Sequence, residues 1–82
     1  MIHKIYSPDS LGLALRTERK KKKLSQQEVG SLIDIEQHTI SKVENGNPGT
    51  SLNTLFRILA ALDLELVVQP RQKNEKVERD GW

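Results

Sequence analysis

Ser25-Gln26-Gln27-Glu28-Val29-Gly30-Ser31-Leu32-Ile33-Asp34-Ile35-Glu36-Gln37-His38-Thr39-Ile40-Ser41-Lys42-Val43-Glu44-Asn45-Gly46 is the stretch on which the reading of this chain turns. Ser25 and Glu28 fit a capping box, in which the serine oxygen and the glutamate side chain each satisfy a backbone donor left orphaned at a helix start. A helix therefore begins at Gln26, with Val29, Leu32 and Ile33 as its buried face. Gly30 is a small residue on it, where another helix can come very close. Asp34-Ile35-Glu36 makes a tight connection, and a further helix runs from Gln37 to Asn45 with Ile40 and Val43 turned inward. Gly46 supplies its left-handed stop.

Upstream, Ser7-Pro8-Asp9 combines a cap residue, a proline suited to the first helical position and an acid in the first turn, so a helix starts there. Leu11, Ala14 and Leu15 are its apolar stripe. Four residues further the stripe reaches Arg19, which is expected to lean toward the core while Lys20 and Lys21 point elsewhere. This helix is expected to stop near Lys22. Downstream, Asn47-Pro48-Gly49-Thr50 reads as a loop, and Ser51 caps a helix in which Leu52, Leu55, Leu59 and Leu62 recur at helical spacing. Phe56 and Ile58 widen that face.

From Asp63 the period changes, with Leu64, Leu66 and Val68 alternating against Glu65, Val67 and Gln69, as in a short strand. A strand needs a partner. The same strand of a second copy is the economical one, which predicts a homodimer; residues 1–6 are the alternative. After Pro70 the chain is almost wholly polar until Trp82 and reads as a flexible tail. The expected organisation is a domain over residues 1–69 and a tail over 70–82. The fold class is all-α, four to five helices plus the short strand.

Composition narrows the function. The chain has 82 residues and no cysteine, so a small core must do without a disulfide or a thiolate zinc site. Its apolar runs fall far short of the roughly 20 residues a bilayer requires, and its first residues lack the apolar core of a signal peptide. A cytoplasmic protein with no membrane partner is expected. Only two histidines, His3 and His38, are present. Neither has a Ser or Cys nucleophile fixed beside it by spacing, and no phosphate-cradling glycine loop occurs, so neither an enzyme nor a cofactor site is expected. The net charge of +2 says little, but Arg19-Lys20-Lys21-Lys22-Lys23 concentrates five cations at one place. That run is either a solvated helix end favoured by the helix dipole or a surface for phosphate.

Counted from Gln26, apolar residues fall at positions four, eight, ten, fifteen and eighteen, namely Val29, Ile33, Ile35, Ile40 and Val43, with Gly30 at the fifth. This spacing resembles the Cro/C1-type (XRE), lambda-repressor-like helix-turn-helix family. Ser25 to Gly30, Thr39 to Gly46 and Thr54-Leu55 match its familiar stretches. Two residues depart from the pattern: Asp34 and Lys23 stand where glycines are usual. Asp visits the left-handed region more readily than most residues, and lysine less so. The resemblance implies double-stranded DNA as partner, with the helix from Gln37 in the major groove and its first residues toward base edges. A glutamine amide can contact adenine N6 and N7 together, which makes Gln37 the first base reader. The resemblance also implies that Gln26, eleven residues earlier, braces it and touches phosphate. Ser41 and Lys42 lie a turn further along; Lys42 suits guanine or phosphate. His38 is either a reader or a surface histidine. Thr39, Asn45, Arg19, Lys20 and Lys22 are support or phosphate contacts. An ion pair of Arg19 with Glu44 is likewise implied.

Lys4-Ile5-Tyr6-Ser7-Pro8, the Leu64-Glu65-Leu66 strand and a polar tail ending in tryptophan are similar to the HipB-type antitoxins of that family. The likeness implies a homodimer joined partly through the strand, a palindromic operator whose own operon it represses, and a HipA-type serine/threonine kinase toxin as partner. Trp82 would then anchor the tail on the toxin, since a large ring on a flexible segment can dock in a pocket at modest ordering cost. Alternatives are an unused chain end for Trp82 and a freestanding phage-like repressor for the whole protein.

Overall fold

Three serines start three of the helices. Ser7, Ser25 and Ser51 each accept from the backbone N–H three residues on, opening α1 (Pro8–Lys21), α2 (Gln26–Ile33) and α4 (Leu52–Ala61). The serine oxygen replaces a carbonyl that the first turn lacks. α3 (Gln37–Glu44) follows Glu36, which makes no side-chain cap. The structure, a computed structural model, describes residues 2–72.

The chain leaves each helix through a left-handed residue. Lys23, Asp34 and Asp63 have φ of 59°, 56° and 58°, and Gly46 has 85°. Lys23 and Asp34 thus occupy a geometry that suits glycine better, since without a Cβ there is no clash with the following carbonyl. α1 ends one residue before Lys22, which is its cap.

The core draws on every helix: Leu15 from α1, Val29 from α2, Ile40 and Val43 from α3, and Leu55, Ile58, Leu59 and Leu62 from α4 and its end. Burying each such side chain contributes about 1.5–3 kcal/mol relative to leaving it in water. Two glycines set the spacing. A Cβ on Gly12 would stand 2.5 Å from the carbonyl oxygen of Glu44 and 2.6 Å from that of Val43, so α1 rests backbone to backbone on the end of α3. Gly30 is packed by the carbonyl of Ile35, that is, by the turn rather than by another helix as its size suggested.

Three expected core residues are in fact exposed: Leu32 at 64%, Leu52 at 69% and Phe56 at 50%. Each short helix has neighbours on one side only. On α2 the buried arc is centred on Val29 and Gly30, and on α4 it is centred on Leu55, Ile58 and Leu59, which leaves these three on the flanks. Among the described residues no strand forms. Leu64 packs against the core and its N–H donates to the Leu59 carbonyl at 2.8 Å, while Leu66 and Val68 are exposed. Residues 2–6 make no ladder with this segment; pairing between two copies is not a property of one chain. Trp82 lies outside the described residues. Among those described, no helix is long and apolar enough to cross a membrane, and no cluster of acids and histidines could hold a metal ion.

Candidate nucleic-acid interface

The site grows from a buried ion pair. Arg19 continues the inner stripe of α1 and Glu44 is the last residue of α3, the end that Gly12 allows α1 to touch. Arg19 Nε donates to Glu44 Oε2 at 2.6 Å and its Nη2 to Oε1 at 3.0 Å, while Nη1 donates to the Leu24 carbonyl at 2.7 Å. The hydrogen bonds to Glu44 raise the guanidinium pKa despite the opposing effect of burial. Among the described residues no buried side-chain polar atom lacks a partner, which is the condition under which a buried pair is tolerated.

From this pair a line of hydrogen bonds reaches the surface. Gln26 Nε2 donates to Glu44 Oε1 at 3.0 Å, and Gln37 Nε2 donates to Gln26 Oε1 at 3.2 Å. The chemistry dictates the orientation. A carboxylate only accepts, so Gln26 must turn its NH2 toward Glu44 and its oxygen toward Gln37. Gln37 spends one amide hydrogen on that oxygen and retains the other hydrogen and its carbonyl. One donor plus one acceptor in a plane is what adenine N7 and N6 require. Gln26 is half-buried and Gln37 exposed, so the line runs from core to solvent.

Along α3, His38 and Lys42 are exposed with Gln37, whereas Thr39 and Ser41 are half-buried; Asn45 caps the end and is exposed. Lys20 and Lys22 are exposed at the end of α1, while Lys21 reaches back to Glu18 at 3.3 Å. Two contributors escaped the sequence reading. Gly12 shares the helical stripe of Leu15 and Arg19, and that register was the available signal. Arg57 of α4 donates to the Ile33 carbonyl at the end of α2, a tertiary contact with no local signature.

A first short helix, a tight left-handed turn and a second helix with an exposed polar face define a helix-turn-helix reader. The helix-turn-helix family profile matches residues 15–69, and the chain belongs to that family. It is 42% identical over 65 residues to the antitoxin HipB of Escherichia coli O6:H1, covering 79% of this chain and 69% of the relative. It superposes with a TM-score of 0.82 on the protein of a HipB-O4 20mer complex, at 37% identity and over 87% of this chain and all of that one. Against a HipA-HipB-O2-O3 complex the TM-score is 0.80 at 39% identity, with the same coverage. Within the helix-turn-helix family the chain thus groups with the HipB-type antitoxins.

Proposed function

We propose that this chain is a DNA-binding antitoxin, a homodimer that represses its own operon from a palindromic operator and binds a HipA-type serine/threonine kinase toxin. The observation that carries the reading is the hydrogen-bonded line from Arg19 through Glu44 and Gln26 to Gln37. It ends in an exposed amide at the start of α3, on a fold shared with HipB in its complexes. In this reading α3 lies in the major groove, Gln37 contacts adenine, and His38, Ser41 and Lys42 contact further bases. Gln26, Thr39 and Asn45, with Lys20 and Lys22 beside them and Arg19 behind, face or support phosphates. Such contacts position the protein, whereas base-edge contacts specify the sequence. Leu64, Leu66 and Val68 join two copies, and Trp82 anchors the tail on the toxin. The protein acts by binding alone, in the bacterial cytoplasm and on the nucleoid.

Deleting residues 73–82 tests the two halves of this reading separately. The truncated chain is expected to keep operator affinity and lose toxin affinity. Undiminished toxin binding would remove the tail from the interface; failure of the full chain to prefer DNA upstream of its own operon over random DNA would overturn the reading. A freestanding repressor would likewise bind the operator with and without these residues, but its full chain would bind no such toxin.

A further inference from the structure

Residues 2–6 lie outside the four helices, yet they are held in place at two points. The Tyr6 N–H donates to Ser10 Oγ at 3.0 Å, and Ser10 belongs to the capping box of α1. Further back, His3 Nε2 lies 2.8 Å from Glu18 Oε2. Ser10 and Glu18 are about 12 Å apart along the helix at 1.5 Å per residue, and His3 to Tyr6 spans roughly 10 Å when extended. The segment therefore runs back along α1, antiparallel to it.

The other end of the domain meets it. Arg71 places its guanidinium carbon 4.6 Å from the centroid of the Tyr6 ring, inside the range of a cation–π contact. The chain from Leu64 to Arg71 is thus fastened at both ends: Leu64 on the core with its N–H on the Leu59 carbonyl, and Arg71 on Tyr6. Pro70 biases the residue before it toward extended backbone. Between the fastenings Leu66, Val67 and Val68 are exposed at 52%, 65% and 92%. An apolar run tethered at each end and bare in the middle has its backbone groups open to pairing with another chain.

We infer that residues 3–6 are a brace that holds the far end of the segment from Leu64 to Arg71 and preorganises it for pairing with the same segment of a second copy. This rests on the reading that the segment joins the homodimer. A free chain must be ordered when it pairs, and that loss is subtracted from affinity; a chain already fastened at Arg71 loses less. Tyr6 and Arg71 are positioning residues for the dimer.

Sedimentation of the full chain tests the brace through the dimer dissociation constant. Tyr6→Leu and Arg71→Ala are each expected to weaken the dimer roughly five- to tenfold, since the fastening is removed from both copies. The double substitution should be no weaker than Tyr6→Leu alone, because both changes abolish the same cation–π pair. Leu66→Pro and Val67→Pro check the underlying strand, since one of the two removes a ladder N–H whichever way the strands pair. Dimers that tolerate Tyr6→Leu and Arg71→Ala but not the prolines would overturn the brace and leave the strand reading standing. Dimers that tolerate both prolines would overturn that reading, and the brace with it.

Discussion

Arg19 and Glu44 meet at two points, at 2.6 Å and 3.0 Å, and their side chains are 9% and 5% exposed. The pair ties the last turn of α1 to the last residue of α3, and Glu44 passes the connection on to Gln26. Removing one partner leaves a buried charge uncompensated. Arg19→Ala is expected to lower stability by about 3–5 kcal/mol, measured by urea unfolding. The apolar pair Arg19→Met with Glu44→Leu should restore most of that loss but not operator preference, because Gln26 then has no carboxylate to orient it.

Gln37→Ala should cost about 1–3 kcal/mol at one base pair per half-site and relax preference there. Lys20→Ala and Lys22→Ala should instead weaken binding to every sequence and reduce the slope of log affinity against log salt by about 0.9 for each phosphate no longer neutralised. Titrations on operator and random DNA at several salt concentrations separate the two patterns. Equal losses of Gln37→Ala on both DNAs would remove Gln37 from the base-reading set.

Lys23→Gly and Asp34→Gly probe the left-handed turns. A residue with a Cβ in that region costs about 1–2 kcal/mol, and glycine returns roughly half of it as extra freedom of the unfolded chain. Lys23→Gly should therefore stabilise by up to ~1 kcal/mol, and Asp34→Gly by less, since aspartate tolerates the conformation. Gly12→Ala should do the reverse by about 1–3 kcal/mol, because the new methyl meets the Val43 and Glu44 carbonyls and must push α1 off α3. Thermal unfolding of the three variants gives the order directly.

Glu18 has its pKa lowered from the ordinary carboxylate value, chiefly by the hydrogen bond from His3, with burial opposing the shift and Lys21 adding to it. A depressed carboxylate pKa contributes stability that is fully present above the unfolded-state value and is lost as pH falls through the folded-state value. The stability difference between the parent and Glu18→Gln should accordingly shrink on acidification from about pH 6 to about pH 3. A difference that is constant over this range would show that His3 and Lys21 do not hold the ionised form.

How far the sequence could be read follows from the range of the forces involved. Capping serines, the Gly46 stop and the inward positions Val29, Ile40 and Val43 depend on residues three or four apart, and helix geometry alone brings those together. Arg19 was expected at the core on the same grounds, since four residues separate it from Leu15. Leu32, Leu52 and Phe56 were misplaced because periodicity finds an apolar face but not the width of the neighbour that covers it. Nor could periodicity show that Leu64 would pack while Leu66 stayed bare.

The identity of α3 as the exposed polar helix, its caps and its turn were thus written in local chemistry. The orientation of Gln37 was not. It depends on Gln26 being flipped by a carboxylate eighteen residues away, on Arg19 holding that carboxylate, and on Gly12 letting α1 come close enough to α3 for the pair to form. Those distances exist only once the helices pack, because a hydrogen bond between side chains far apart in sequence has no strength until the fold has brought its donor within about 3 Å of its acceptor.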